Sequence, residues 1–187
     1  MFIAGASGSL RRLIEGQLQA TGGLDGYGVS VFTTSQFSAP ITRQIGLFLY
    51  RVEVDETRRI VDTPRPAAAP RRSTLGFELR YLLTVWDKEN AEGEQAMLAR
   101  CMDIVDRHPL LSGNLLAPAY PWEPEDALRV SFANLSTEDM LRLWGSLGVP
   151  YRLSVPCVVR TARLTARERM ESAPANDHGL VMSPMLP

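Results

Sequence analysis

Residues 141–164 read LRLWGSLGVPYRLSVPCVVRTARL, and this stretch decides the fold class. Its first third finishes an amphipathic helix that starts near Ser136. Ser136 is a strong N-cap, and Glu138 and Asp139 put negative charge in the first turn, where the helix dipole favours it. Met140, Leu141, Leu143, Trp144 and Leu147 supply the buried face of that helix. Gly148 is its stop, because glycine enters the left-handed region without steric cost. After Val149-Pro150-Tyr151 the period changes from helical to alternating, with Tyr151, Leu153, Val155, Cys157 and Val159 on one face of a strand over residues 152–165. Pro156 lacks a ladder donor, which points to a sheet edge or a bulge. A helix followed directly by a long alternating strand makes this an α+β protein. No residue in the stretch is chemically armed.

Upstream, the same two periods recur. Residues 73–87 (STLGFELRYLLTVWD) alternate cleanly over their length, and Leu82 and Trp86 on the second face call for cover from the next element in the chain. Residues 43–54 (RQIGLFLYRVEV) are apolar on both faces, as in a strand central to a covered sheet or crossing from one layer to another. Residues 27–33 and 126–134 give two shorter strands. A helix over residues 90–106 carries the stripe Met97, Leu98, Cys101, Ile104 and Val105, and closes at His108-Pro109. Another opens the chain, with Leu10, Leu13, Ile14 and Leu18 on one face and Gly22-Gly23 at its end. The expectation is one domain over residues 1–165, a mixed or antiparallel sheet packed against two or three helices. Residues 166–187 lose periodicity and read as a flexible tail.

The totals fit a single globular domain: 187 residues with 45% hydrophobic and 22% charged content. A formal net charge of −1 supplies no field that would gather nucleic acid or anionic lipid. No apolar run reaches the roughly 20 residues that span a bilayer, so a cytoplasmic chain with no membrane partner is expected. Cys101 and Cys157 read as buried free thiols, and two cysteines with two scattered histidines do not build a zinc site. No cofactor is expected.

Three stretches are candidates for function. Residues 55–72 form a long connection with three prolines and five arginines (Arg58, Arg59, Arg65, Arg71, Arg72) against three acids, a local balance of 5 − 3 = +2. Such a loop is either solvated or orders against an acidic patch of a partner. Tyr120 and Trp122 sit in a proline-rich bend that packs over a core edge or recognises a peptide. Tyr151, Arg152, Pro156, Arg160 and Arg163 mark the last strand as a contact surface. The opening Gly5-Ala6-Ser7-Gly8 raises a fourth reading, a small nucleotide-binding enzyme with a Gly-x-x-Gly loop. Against it, the third glycine position is Arg11 and no acidic residue ends a second strand.

The order LFLYRVE (residues 47–53), LRYLLTVW (79–86), a helix to DRHPLL (106–111), then LRVSFANLSTEDMLRLWGSLGVPYRLSVPCVVRTARL (128–164) resembles the cap proteins of extracellular contractile injection systems. These are phage-tail-like particles of the antifeeding-prophage and virulence-cassette type, and their caps are similar in role to phage tail terminators. The resemblance implies a tail-terminator-like fold and a non-enzymatic assembly protein. Such a protein would cap the inner tube and sheath as a hexameric ring, a homo-oligomer whose partners are the tube and sheath proteins. Assembly would be cytoplasmic, within a particle that can later be released.

Overall fold

The computed structural model describes residues 2–38, 42–55, 76–87 and 90–163; of Ser38, Asp55 and Arg163 only the backbone is described. The arginines of the 55–72 connection and the 166–187 tail therefore lie outside the described residues. Among the described residues, three α-helices accompany one six-stranded sheet. The helices are α1 (Phe2–Ala20), α2 (Ala91–Arg107) and α3 (Thr137–Ser146). The strands are β1 (Gly28–Phe32), β2 (Arg43–Asp55), β3 (Gly76–Asp87), β4 (Leu110–Ser112), β5 (Asp126–Phe132) and β6 (Ser154–Arg163). Their order is β1-β2-β3-β6-β5-β4. β1 lies parallel to β2, and every other pair is antiparallel. The α+β expectation with a mixed sheet is met.

α1 and α2 cover one face. Leu10, Leu13, Ile14 and Leu18 of α1, with Met97, Leu98, Cys101 and Val105 of α2, bury themselves on Ile45, Leu47, Leu79, Tyr81, Leu83, Leu128, Cys157 and Val159. Period 3.6 meets period 2 here, which explains why every one of these positions is apolar. Leu82 and Trp86 point the other way and are covered by α3 and by a short 3-10 helix, Thr34–Ser38, rather than by α2. Phe32, Phe37, Phe48, Leu82, Trp86, Met140 and Trp144 form this second core. Phe37 is its hub, with ring centroids 5.1 Å from Phe48, 5.5 Å from Trp144 and 6.0 Å from Trp86. The 3-10 helix lies in the link that carries the chain from β1 to its parallel neighbour β2, so Phe37 also pins that crossover.

Three sequence expectations are corrected. β6 is not an edge strand: it pairs with β3 on one side and β5 on the other, so Pro156 is central and buried. The sheet tolerates it because β5 pairs with β6 only up to Phe132 opposite Cys157. Ala133 N–H donates to the Pro156 carbonyl at 3.0 Å. The N–H that proline lacks would point to the same side, where β5 has already ended. Leu141 is 52% exposed, although helical spacing put it on the buried face; the short α3 buries only Met140 and Trp144 outright. The third correction concerns the N-terminus. Residues 5–8 are not a loop but part of α1, which runs unbroken from Phe2.

The α3 end signals are as read. Ser136 Oγ accepts the Asp139 N–H at 3.0 Å, and Gly148 sits at φ +68°. Trp144, 1% exposed, donates its indole N–H to Ser154 Oγ at 3.1 Å and so ties α3 to the first residue of β6.

Candidate interface surfaces

Gly5 and Gly8 make contact surface rather than a phosphate cradle. A Cβ on Gly5 would stand 2.7 Å from Trp122 Cζ2 and 3.1 Å from Tyr120 Cγ, and one on Gly8 would touch Tyr120 Cε2 at 3.4 Å. The absence of side chains lets the proline-rich bend lie down on α1. Trp122 donates its indole N–H to the Ala117 carbonyl at 2.8 Å, and Phe2 meets it edge to face at 5.0 Å. Ser9 Oγ accepts the Ala117 N–H at 2.8 Å and donates to the Gly5 carbonyl. Ser7 Oγ shares a hydrogen bond with the buried Tyr81 hydroxyl, 2.7 Å away. Small residues at the start of α1 and aromatics in the bend are thus one packing unit. Both ring systems are half-buried, which spends Tyr120 and Trp122 on holding the bend.

The connection between α3 and β6 is exposed. Tyr151 is 49% and Leu153 40% exposed, and the Tyr151 ring stands edge-on to Trp144 at 6.3 Å. Between them Arg152 turns inward. Its guanidinium stacks over Trp86 at 4.9 Å and pairs with Glu94 at 3.5 Å. Glu94 also accepts the Asp87 N–H at 2.9 Å, so Arg152 fastens this connection to the start of α2. Of the two residues, Tyr151 is presented and Arg152 is structural.

Beyond the second core the same sheet face is charged, and no described helix covers it. Register places Glu53 opposite Glu78, Glu78 opposite Arg160 and Arg160 opposite Arg129, one row across four strands. Arg51, Arg80, Val158 and Ser131 form the next row. Like charges directly opposite destabilise a sheet unless countercharges intervene, and Arg80 intervenes. It bonds to Glu53 at 2.9 Å and pairs with Glu78 at 2.6 Å. Arg160 donates to Glu78 at 2.8 Å, and Arg51 pairs with Glu53. The hydrogen bond from Arg80, reinforced by the charge of Arg51, lowers the Glu53 pKa below the usual carboxylate value. Arg160 is therefore anchored but half-exposed. Arg163 reaches the end of the ladder opposite Asp126 through its backbone.

Four further groups with raised values lie in the helix-side core. Burial pushes the thiols of Cys101 and Cys157 and the phenol of Tyr81 up to about 12. Tyr27 reaches about 12 through burial and its hydrogen bond to Asp87 at 2.8 Å. None of these is a nucleophile or base near neutrality. Among the described residues no group of three His, Cys, Asp or Glu side chains could hold a metal ion, and no helix is long and apolar enough to cross a membrane.

The family model described as the Pvc16 N-terminal domain matches residues 6–177, nearly the whole chain. The chain belongs to the Pvc16 N-terminal domain family. No curated protein matches it. Among solved structures, its fold is similar to that of the sheath/tube terminator of an extracellular contractile injection system, PVC, in the extended state. That likeness has a TM-score of 0.57 at 14% identity and covers 84% of this chain and 56% of that one. At such identity it speaks to the fold. The anti-feeding prophage cap, a tube-terminating cap, matches at a TM-score of 0.46 and 19% identity, over 66% of this chain and 44% of that one. This Pvc16 N-terminal domain chain thus spans little more than half the length of the terminator it matches.

Sequence reasoning found the helix–stop–strand of residues 141–164 but missed three features of the packing and the surface. It gave Phe37 no role, since one phenylalanine in a polar turn carries no period. It did not bring Glu78, Arg80 and Arg160 together, because pairing across strands is not written in any one of them. It also read β2 as central in a covered sheet or crossing between layers, and gave no sign that β2 outruns β1.

Proposed function

We propose that this protein caps the distal end of the inner tube and sheath of a contractile injection system, closing polymerisation as a hexameric ring. The observation that carries the reading is its membership of the Pvc16 N-terminal domain family over residues 6–177, in a fold shared with a sheath/tube terminator. The role is an assembly role with no catalysis. The packing of Gly5 and Gly8 against Tyr120 and Trp122 removes the feature that motivated a nucleotide-binding enzyme.

The surface fits the role physically. A cap needs a rigid body and presented contacts, and the two-sided core supplies the first. Tyr151, Leu153 and the half-exposed Arg160 are candidates for the second, with the arginines at 58, 59, 65, 71 and 72 as further candidates for meeting acidic patches on the tube or sheath. Assembly would take place in the cytoplasm, within a particle released afterwards. Negative-stain microscopy of the protein mixed with preassembled tube tests the placement: we expect density as a six-fold ring at one tube end. Decoration along the tube wall, or none at either end, would overturn it.

A further inference from the structure

β1 pairs with β2 only from Gly28 opposite Gln44 to Phe32 opposite Phe48, whereas β2 continues to Asp55. Among the described residues nothing pairs with the outer edge of β2 over residues 49–55. The pairing with β3 shifts register between Leu49 and Arg51, at the point where β1 stops. Beyond that bulge the edge carries Val52 and Val54, 44% and 50% exposed, two of the large apolar side chains this surface leaves open. Native sheets blunt an open edge with proline, charged side chains or a bulge that twists it away; YRVEV (residues 50–54) has no proline, and its two charges are of opposite sign.

We infer that this open edge pairs, antiparallel and two-fold, with the same edge of a second copy of the chain, centred on Val52. Charge order selects that occupant. With Val52 opposite Val52 of the second copy, Arg51 faces Glu53 across the new ladder in both directions, on the sheet face away from the valines. Sliding the register by two residues either way sets Arg51 against Arg51 or Glu53 against Glu53, which opposes pairing. A strand from an unrelated protein would have no reason to match that charge order.

A two-fold contact joins two copies and stops, so it cannot propagate around a ring. The pairing therefore belongs to the free chain, stands apart from the capping reading, and would keep an aggregation-prone edge covered before assembly. Analytical ultracentrifugation of the purified chain, without tube or sheath, tests it. We expect a concentration-dependent dimer that Arg51→Glu and Glu53→Arg each weaken on the order of tenfold or more, by setting like charges across the ladder. A one-to-one mixture of the two variants should restore a mixed dimer, as should the doubly exchanged chain, while circular dichroism shows all of them folded. A chain monomeric at every concentration overturns the inference. So does a dimer indifferent to these changes, or single-variant losses that the mixture does not repair. A chain that dimerises only after residues 164–187 are removed overturns it too, because the edge would then be occupied by the chain's own C-terminal segment.

Discussion

Replacing Trp144 by alanine tests the packing on which the α3 side depends. Trp144 is 1% exposed and is the largest fully buried side chain. Truncating a buried aromatic to alanine costs about 3–5 kcal/mol through lost transfer energy and the cavity left behind. Here the removed ring also deserts Phe37 at 5.5 Å, Trp86 at 6.2 Å and Tyr151 at 6.3 Å. Edge-to-face and tilted pairs of this kind add about 0.5–1.5 kcal/mol each. The indole N–H to Ser154 is lost as well, but Ser154 Oγ keeps the Arg152 carbonyl as an acceptor, so no buried hydroxyl is stranded. Because the usual range already contains part of these pair energies, they place Trp144→Ala in its upper half or just above it, about 4–6 kcal/mol. Urea unfolding followed by far-ultraviolet circular dichroism reads it, and the melting temperature should fall by roughly 10–20 °C for a chain of this size. Trp144→Phe keeps most of the volume and should cost about 1–2 kcal/mol. A Trp144→Ala loss under about 1.5 kcal/mol, with the slope of the urea transition unchanged, would mean that α3 does not pack on the sheet as described.

Two glycines in α1 should respond to alanine in opposite directions. Gly16 has open space around its Cβ position, so Gly16→Ala should stabilise by up to about 1 kcal/mol through helix propensity. Gly5→Ala gains the same propensity but drives a Cβ to 2.7 Å from Trp122, and overpacking of about 1–3 kcal/mol should prevail in thermal unfolding. Glu78→Gln removes the carboxylate that Arg80 and Arg160 share, and should cost about 1.5–3 kcal/mol in the same experiment. Alkaline pH should destabilise the fold. Cys101, Cys157, Tyr27 and Tyr81 ionise near their ordinary values of 9.0 and 10.0 when unfolded but only at about 12 when folded. Between pH 9 and 12 the unfolded chain therefore binds fewer protons, and stability falls as pH rises. Melting temperatures across that range should decline steadily, and a flat profile would contradict the burial of these groups.

The layered architecture was legible because it is written in local periods. α2 (Ala91–Arg107) carries its stripe at 3.6, β3 alternates at 2, and the Ser136 cap and Gly148 stop mark α3. What failed depended on partners distant in sequence. Pro156 suggests an edge in isolation, and only the early end of β5 lets a central strand hold it. The Gly5–Gly8 spacing fits a phosphate loop as well as it fits close helix packing, and the deciding residues, Tyr120 and Trp122, stand more than a hundred positions away. The candidate surface was half legible. Tyr151 and Arg160, named as contact candidates, are exposed and half-exposed. That Arg152 turns in to Trp86, and that β2 outruns β1, follow from pairing and packing that no single segment encodes.

The capping role is tested most directly by tube growth. Purified inner-tube protein is allowed to polymerise with increasing amounts of this chain, and tube lengths are measured by electron microscopy. The account predicts that mean length shortens as the chain is added, with total polymerised mass falling once each growing end is occupied. Lengths and mass that stay unchanged at a large molar excess over tube ends would contradict it.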